Sequence, residues 1–440
     1  MKLSADQEAA SREMTSGQSL FLTGGAGTGK TALVNRFCQE NPGRRIARLA
    51  TTGAAAQLIG GQTLHSFFHI GREVHRPGDI SVGASLRRKV RNYDGFIIEE
   101  TSMLRVDQMR QIRDILKGSA RGYGEFGGYQ LICVGDFAQL PPVLTNEEVR
   151  PITAMHGPDA LFAFQTPSWK ALSVHELTTI HRQSGDLEFA QWLGNLRKGK
   201  AVDLDLVNDR VGPASPKAVN LVSTNRMANT INDARMNELP PKSYRVPGDI
   251  KGDFPERQMR VPLEMRMKPN ARVIICANNR EAGYVNGSSG TLLEISRDDN
   301  KNPQALVRLD DGREVMVKQH TWENVSFEAR GDPEQDTSDT NFGRRLRGTM
   351  TQLPLLPGWA ITIHRSQGMS LQEAHINPRG SFEAGQIYVA LSRVTSLEGL
   401  TLESPVLADH IITDPRVVEY HARILSNEQE LEIGEPEIWV

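Results

Sequence analysis

The sequence predicts an α/β protein with a phosphate-binding core, a second α/β region, and a small β-barrel inserted in that second region. Three observations predict this organisation. A glycine-rich loop, GGAGTGKT at 24–31, stands between an apolar run and a helix-forming segment. Apolar runs that end in polar residues recur up to about residue 225 and again from residue 359. Between about 256 and 330 the pattern changes to short strands separated by turns.

The composition is that of a globular protein, and it excludes several classes. The chain has 440 residues, 38% hydrophobic and 24% charged, which suffices for two or three domains. A net charge of −2 gives no overall basic signal, so nucleic-acid binding would depend on local patches. Cys38, Cys133 and Cys276 lie in apolar segments without a C-x-x-C, so we expect neither a zinc site nor disulfides. No signal-peptide core or membrane-length apolar run occurs, so we expect a cytoplasmic protein without a membrane partner.

The loop at 24–31 fits G-x-x-x-x-G-K-[ST] and has the strand–loop–helix setting that this motif requires. Its backbone N–H groups and the following helix start would hold a polyphosphate. Lys30 would reach the outer phosphates, and the Thr31 hydroxyl would bind Mg²⁺. The alternative is a glycine-rich turn without a ligand. The residues predicted to line the nucleotide phosphates are Gly25, Ala26, Gly27, Thr28, Gly29, Lys30 and Thr31.

Polar residues at the ends of later strands are candidates for the chemistry of this site. The apolar run 95–98 ends in Glu99 and Glu100, where one carboxylate can support Mg²⁺ and the other can activate a water. Gln139 follows the strand at 131–136 and could sense the γ-phosphate. In the first helix, Gln7 completes a capping box or contacts the adenine edge of a nucleotide.

Other positions have two interpretations each. Thr51 and Thr52 are helix caps or donors to a nucleic-acid phosphate. His65 and His69 lack the Glu of H-E-x-x-H, so the sequence does not predict zinc here. The arginine-rich segment 71–93 is a solvated loop or an insertion that guides a polyanion.

The second region has its own polar strand ends. Thr224 and Asn225 follow a strand, and the polar segment 328–348 is predicted to be a mobile loop. Near the end of the chain, a helical stretch places Arg393 beside Ser392. This arginine is either an ordinary surface residue or an arginine finger directed at the phosphate loop.

Taken in order, these segments resemble superfamily-one DNA helicases of the 5′-to-3′ branch. The similarity is to the petite-integration-frequency (Pif-type) helicases, relatives of RecD and Dda, and runs from Gln7 to about residue 402. The specific motifs are the phosphate loop, TLHSFF at 63–68, EETSM at 99–103, GDFAQLPPV at 135–143, HRQ at 181–183, VNGSSG at 285–290, HRSQGMSL at 364–371 and YVALSRVTSLEGL at 388–400. Their common order makes a chance match improbable.

The resemblance implies an α/β fold of two RecA-like cores with ATP between them. The first core would span 1–175, with a pin or wedge insertion at about 62–93. The second would span 176–255 and 351–425, interrupted by an SH3-like β-barrel with a mobile loop at 256–350. Residues 426–440 would form a C-terminal tail.

The resemblance also implies roles for particular residues. The predicted catalytic residues are Lys30, Glu100, Gln139, Arg182 and Arg393. Gln7 and Gly368 join the nucleotide-binding residues, and Thr31 and Glu99 would support Mg²⁺. The residues predicted to contact single-stranded DNA are Thr51, Thr52, His65, Phe67, Thr224, Asn225, Asn286, His364 and Ser366. Stacking and phosphate contacts suit tracking because they tolerate any base sequence.

The sequence departs from the family pattern at two positions. Glu99 stands where the family usually has Asp, and Arg365 stands where it usually has Lys. Arg365 keeps the positive charge but changes the geometry of a phosphate contact.

The implied activity is an ATP-dependent helicase that moves 5′ to 3′ and uses ATP and Mg²⁺. Its partners would be single-stranded DNA and forked or 5′-tailed duplex, with G-quadruplexes or RNA–DNA hybrids as further substrates and a monomer as the active form. The family is associated with repair, replication, recombination and telomere maintenance. The alternatives are a DNA-dependent translocase that does not separate strands, a phosphate-loop kinase of a small molecule, and a DNA-binding protein with a structural nucleotide.

Overall fold

The computed structural model describes residues 3–70, 82–144, 146–279, 281–329 and 342–432. Helices α1 to α12 are Ala5–Ser16, Lys30–Glu40, Gly53–Leu58, Leu64–Phe68, Ala84–Arg91, Val106–Gly118, Asn146–His156, Leu187–Arg197, Asp205–Asn208, Asn225–Glu238, Gln386–Leu391 and Pro415–Glu432. Short 3-10 helices are Thr101–Met103, Ala163–Gln165, Pro167–Ala171, Glu256–Gln258, Pro378–Gly380, Leu397–Gly399 and Ala408–His410.

The strands form two parallel sheets and a set of antiparallel ones. Strands β1 to β20 are Leu20–Gly24, Ile46–Ala50, Gln62–Thr63, Gly95–Glu99, Gln130–Val134, Ser173–Leu177, Val219–Val222, Tyr244–Pro247, Asp249–Gly252, Glu264–Met267, Arg272–Ile275, Ser289–Arg297, Pro303–Leu309, Glu314–Lys318, His320–Ala329, Phe342–Gln352, Leu355–Pro357, Ala360–Thr362, Ala374–Ile376 and Leu400–Leu402.

The first sheet has the order β3-β2-β4-β5-β1-β6, and all its neighbouring strands are parallel. Strands β1, β4 and β5 are buried along their whole length, because helices cover both faces of the sheet. Phe37 of α2 packs with Leu22 and Ile132 on one face, and Phe137 packs with Phe21 on the other. The carboxyl ends of β1, β4 and β5 therefore meet at one edge of a well-packed sheet.

The second sheet has the order β18-β7-β19-β20 and is also parallel. Helix α11 and α8 pack with it through Ile387, Phe189 and Leu193. The two parallel sheets confirm the predicted α/β class.

The segment between β7 and β18 forms antiparallel sheets with the orders β14-β13-β12-β11-β17, β15-β16-β9 and β10-β8. The predicted bounds of the barrel, 256–350, leave out β8, β9 and β17, which pair with strands inside those bounds. The described parts of the predicted loop 328–348 belong to β15 and β16, so that prediction is wrong for 328–329 and 342–348. Strand pairing, which local composition does not reveal, accounts for both differences.

Parts of three predicted segments lie outside the described residues: 71–81 of the pin, 330–341 of the polar loop, and 433–440 of the tail. The described part of the pin, α4 and α5, contacts strand β15. In the described part of the chain, none of the helices combines the length and apolar character required to span a bilayer.

Helix α12 crosses from the second region back to the first sheet. The Trp169 Nε1 donates to the Tyr420 hydroxyl at 2.7 Å, and the Tyr420 ring stacks on Phe164 with centroids 4.3 Å apart. Val417 and Ile424 are buried in the same apolar cluster. Residues 415–424, predicted to belong to the second core, thus pack on the first.

Because Tyr420 is buried in this cluster, Tyr420→Ala should lower the free energy of unfolding by about 3–5 kcal/mol. The exposed Glu419 on the same helix provides the control, and Glu419→Ala should change stability by less than about 0.5 kcal/mol. Urea denaturation of both variants measures the difference. Equal stabilities would show that α12 does not stabilise the first core.

Candidate functional site

The phosphate loop follows β1 at the centre of the first sheet and leads into α2. The Lys30 Nζ donates to the carbonyl oxygens of Gly24 at 2.7 Å and Gly25 at 3.0 Å. Burial lowers the pKa of Lys30 to about 8, although the Asp136 charge opposes the shift. The ammonium thus lies inside the loop, where it can exchange these carbonyls for phosphate oxygens.

Glu99 and Thr31 form the part of the site that could hold a cation. The Thr31 hydroxyl lies 3.4 Å from the Glu99 Oε2, and the buried Glu99 Oε1 has no hydrogen-bond partner. Burial, together with the neighbouring Glu100 charge, raises the pKa of Glu99 to about 8. A buried carboxylate oxygen without a partner, beside a hydroxyl, fits Mg²⁺, which is commonly bound by one or two protein oxygens together with phosphates and water.

Glu100 occupies a sparsely populated backbone conformation at the end of β4. Its φ of 56° and ψ of 47° are left-handed, which is unusual for a residue with a side chain. Burial raises the pKa of this carboxyl, and the Lys30 and Arg393 charges oppose that rise. The carbonyl oxygen of Glu100 accepts a hydrogen bond from the Thr51 hydroxyl at 2.9 Å. Glu100, the residue that carries the predicted catalytic carboxylate, is therefore hydrogen-bonded through its backbone carbonyl to a predicted DNA contact.

Gln139 lies on the loop after β5 and is buried. Its Nε2 is 3.4 Å from the Asp136 Oδ2, and its carbonyl lies beside Gly385 at the start of α11. The left-handed φ of Gly385, 73°, and the collision that a Cβ would make with the carbonyl of Ala138 require glycine here. The loop after β5 thus contacts the helix that precedes Arg393.

The motif HRQ at 181–183 lies directly on the phosphate loop. The His181 N–H donates to the Gly27 carbonyl at 2.9 Å, and a Cβ at Gly27 would collide with the Cβ of Arg182. The Arg182 guanidinium donates to the Ser392 carbonyl at 3.0 Å and the Ser370 hydroxyl at 2.8 Å. Burial lowers the pKa of Arg182 to about 9. Arg182 therefore connects the phosphate loop to the second sheet region.

Arg393 is 2% exposed, which excludes an ordinary surface arginine. Its guanidinium donates to the Val389 carbonyl at 2.8 Å, the Ser392 hydroxyl at 2.7 Å and the Ser366 carbonyl at 3.3 Å. Burial lowers its pKa, while nearby Tyr388 and Glu100 oppose the shift. Hydrogen bonds within the second region thus hold Arg393 in place, and its charge is close enough to Glu100 to affect the pKa of that carboxyl.

Gln7 makes the capping contact that the sequence predicts, and its side-chain amide also contacts the phosphate loop; its contact with adenine stays a prediction. Its Oε1 accepts from the Ser4 N–H at 3.2 Å, as a helix cap does. Its Nε2 donates to the Thr28 carbonyl at 3.1 Å and lies 3.2 Å from the His181 ring. Gly368, which was predicted at the nucleotide, lies in a loop two residues before Ser370, a partner of Arg182.

A buried ionic network beside the phosphate loop was not predicted. The Arg197 Nε donates to the Asp136 Oδ1 at 2.9 Å, and its Nη1 bonds to Glu176. The Tyr388 hydroxyl donates to the Asp136 Oδ2 at 3.1 Å. Burial alone would raise the pKa of Asp136, but the Arg197 and Lys30 charges hold it below its ordinary value. Asp136 and Tyr388 lie inside quoted motifs, whereas the segment around Arg197 has no motif that could have identified it.

The predicted DNA contacts Thr52, Asn286 and His364 line one cleft of about 270 Å³. Glu100 and Arg365 line the same cleft, so it borders the predicted catalytic carboxylate and includes a cation. Its other lining residues are Ala55, Met103, Gln258, Met259, Arg260, Cys276, Leu356, Gln367 and Met369. Residues of the first sheet, the second sheet and the antiparallel segment thus meet in this cleft.

Two predicted DNA contacts are wrong. Phe67 is fully buried and packs against Phe68 and Phe96, so its ring cannot stack on a base. Ser366 is fully buried and donates its hydroxyl to the Ile363 carbonyl at 2.7 Å. Both side chains stabilise the protein interior.

The remaining predicted DNA contacts lie apart from the cleft lining. His65 lies 3.0 Å from the Gln108 Nε2. Thr224 caps α10 by accepting from the Met227 N–H at 3.3 Å, and both Thr224 and Asn225 are exposed.

Glu99 should make the stability of the ligand-free protein fall between pH 5.5 and 7.5. Its raised pKa means that the folded state keeps a proton that the unfolded state has released, so stability decreases as the pH rises toward 8. Glu99→Gln should remove the part of this fall that Glu99 causes, while the part caused by the raised pKa of Glu100 remains in both proteins. The stability of Glu99→Gln relative to the wild type should therefore rise by about 1–3 kcal/mol over that interval. Lys30 does not interfere, because its lowered pKa affects stability only above pH 8.

Urea denaturation at several pH values measures this difference. Glu238→Gln, at a side chain that is 63% exposed, serves as the control and should follow the wild type. Parallel curves of unfolding free energy against pH for Glu99→Gln and the wild type would contradict the raised pKa assigned to Glu99.

Comparisons with known proteins agree with this geometry. A family model described as PIF1-like helicase matches residues 2–206. The chain is 32% identical to the human ATP-dependent DNA helicase PIF1 over 96% of its own length, and it spans 64% of the length of that protein. It is 30% identical to the ATP-dependent DNA helicase Pif1 of Bdellovibrio bacteriovorus, covering 96% of this chain and 92% of that one.

Solved structures of Bacteroides sp Pif1 are similar over 97% of this chain and 98% of theirs, at 28% sequence identity. The TM-score is 0.86 for the complex with ADP-AlF4 and 0.66 for the complex with single-stranded DNA. Similarity of fold, sequence and length together lead to one conclusion: the chain belongs to the Pif1 helicase family.

Proposed function

We propose that this protein is an ATP-dependent DNA helicase that moves 5′ to 3′ along single-stranded DNA and separates the duplex ahead. The observation that supports this most directly is that Glu100 belongs both to the phosphate-loop site and to the cleft with the predicted DNA contacts. Its charge acts on Lys30 and Arg393, and its side chain lines the cleft that contains Thr52, Asn286 and His364. A phosphate-loop kinase would need no such cleft between two parallel-sheet regions.

The residues around the loop have complementary roles in the proposed ATP hydrolysis. Lys30 neutralises the outer phosphates, and Gln7 contacts the base. Glu100 orients and deprotonates the attacking water, which its raised pKa and left-handed backbone favour. Gln139 senses the γ-phosphate. When bound to Thr31 and Glu99, Mg²⁺ would neutralise charge that develops on the phosphate oxygens.

Arg182 and Arg393 contribute positive charge from the second region. Both are buried, and both hydrogen-bond to Ser392. Moving the segment that contains Ser392 would therefore move both arginines relative to the phosphate loop. This arrangement supports hydrolysis that depends on the relative position of the two sheet regions.

Thr51 connects the proposed DNA cleft to the backbone of Glu100, the residue that carries the proposed catalytic carboxylate. Its hydroxyl donates to the Glu100 carbonyl, and Thr52, the next residue, lines the cleft. A phosphate that displaced the Thr51 hydroxyl would change the backbone environment of Glu100. DNA binding could thus alter the position of the Glu100 carboxylate without any long-range pathway.

The DNA-bound form is proposed to differ in domain arrangement. The protein superposes on the ADP-AlF4 complex of Bacteroides Pif1 better than on its single-stranded-DNA complex, although identity and coverage are the same. In the present arrangement α4 and α5 contact β15 of the antiparallel segment. We infer that this contact separates when a DNA strand enters.

The proposed partners are single-stranded DNA and forked or 5′-tailed duplex, with a monomer as the active form. A Bacteroides Pif1 structure describes unwinding of forked duplex by two coordinating Pif1 helicases, so a second copy at a fork is compatible with this proposal.

Strand separation of tailed duplexes tests the function. With ATP and Mg²⁺, the protein should unwind a duplex that has a 5′ single-stranded tail and leave a 3′-tailed duplex intact. Lys30→Ala is the control, because it removes the ammonium inside the phosphate loop and should abolish unwinding. DNA-stimulated ATP hydrolysis without unwinding of either substrate would instead identify a translocase, and unwinding from 3′ tails would refute the direction.

A further inference from the structure

One tyrosine hydroxyl joins the phosphate loop to the second sheet region. Tyr388 lies on α11 and is 5% exposed. Its hydroxyl accepts from the Ala26 N–H at 3.0 Å and donates to the Asp136 Oδ2 at 3.1 Å. Ala26 and Asp136 follow β1 and β5 of the first sheet. The Tyr388 hydroxyl therefore hydrogen-bonds simultaneously to the phosphate loop and to a residue that follows the neighbouring strand β5.

The surroundings of Tyr388 fix its position. Helix α11 begins at Gly385, whose backbone packs against the carbonyl oxygens of Ala138 and Gln139. A Cβ at Gly25 would lie 3.7 Å from the Tyr388 hydroxyl, so the loop passes close to the ring. Movement of α11 away from the phosphate loop would therefore break the hydrogen bond between the Tyr388 hydroxyl and Ala26.

The chemistry of this hydroxyl is that of a neutral donor and acceptor. Burial and the adjacent Asp136 charge raise the pKa of Tyr388, so the proton stays on the hydroxyl at neutral pH. Asp136 is held as a carboxylate by Arg197. The Ala26 N–H is consequently occupied by a protein acceptor rather than available to a phosphate oxygen.

We propose that Tyr388 is a positioning residue that restrains the phosphate loop until DNA binding moves α11. In the restrained form the Ala26 N–H is held away from ATP, and hydrolysis without DNA is slow. When α11 shifts, the same movement releases the Ala26 N–H from the Tyr388 hydroxyl. It also moves Arg393, which follows α11 in the sequence, relative to the phosphate loop. The inference rests on the proposed DNA-dependent ATPase and adds a residue that represses it in the absence of DNA.

Tyr388→Phe tests this inference, because it keeps the ring and its packing but deletes both hydrogen bonds. Without DNA, kcat/KM for ATP should rise about five- to tenfold, the factor by which one buried hydrogen bond shifts an equilibrium. With saturating single-stranded DNA, kcat should stay within about twofold of the wild type, since the restraint is already released. Binding of a fluorescent ATP analogue without DNA should tighten in parallel.

Tyr129→Phe is the matched control. Tyr129 is also buried, and its hydroxyl donates to the Ser119 carbonyl at 2.8 Å, away from the phosphate loop. It should leave the ATP kinetics unchanged, and thermal melts of both variants report any loss of folding.

A DNA-free kcat/KM for Tyr388→Phe that is equal to or below the wild-type value would overturn the inference while leaving the helicase proposal intact. A wild type whose hydrolysis does not respond to DNA would overturn the helicase proposal itself, and with it the restraint.

Discussion

The phosphate loop is bonded on two sides by residues that precede or belong to the second sheet region, and this constraint determines how the rest of the structure can work. Tyr388 bonds to Ala26, and His181 bonds to Gly27. Beside them, Asp136 and Arg197 form an ion pair in which both side chains are almost completely buried. Removing one partner of such a pair typically costs about 3–5 kcal/mol, because it leaves an unpaired buried charge. Movement of the second region is therefore transmitted directly to the nucleotide site.

The same site contains charges that the protein alone does not balance. Glu99 and Glu100 are adjacent and buried, and burial raises the pKa of both carboxyl groups. The charges of Lys30, Arg48 and Arg393 act on these carboxylates, yet the Lys30 ammonium bonds to loop carbonyls rather than to either carboxylate. A bound cation and phosphates would complete this set, since the cation favours ionised carboxylates and the phosphates favour a charged lysine. The raised pKa values of the two carboxyl groups in the ligand-free site are thus consistent with a site that binds a cation and phosphates together.

Local patterns predicted most of the first sheet and its edge. The loop at 24–31 and the strand ends at Glu99 and Gln139 could be placed because each depends on a short run of neighbouring residues. The orientation of the aromatic pair in TLHSFF could not be predicted, since periodicity over six residues does not tell whether the two rings face the core or the solvent. The family resemblance implies a DNA contact for Phe67, whereas the structure buries both Phe67 and Phe68.

Features that depend on distant residues were missed. Strands β9 and β17 pair with strands about 80–100 positions away in the chain, and the return of α12 to the first core brings Tyr420 to Trp169. No window of sequence reveals such pairs. Arg197 was overlooked because an arginine near the end of an amphipathic helix is usually solvated. Its burial follows only from the approach of Asp136 and Glu176.

The central claim is that the second region supplies Arg393 to a composite ATP site, and DNA-stimulated ATP turnover of Arg393→Lys and Arg393→Ala tests it most directly. Arg210→Ala is the control, because Arg210 also donates to backbone carbonyls, those of Leu400 and Glu398. The account predicts that both Arg393 variants remain folded and bind nucleotide at the assay temperature, although Arg393→Ala melts lower because it empties a buried position. It also predicts that Arg393→Ala loses about 10³-fold or more in turnover. Turnover of Arg393→Ala within tenfold of the Arg210→Ala value would contradict it.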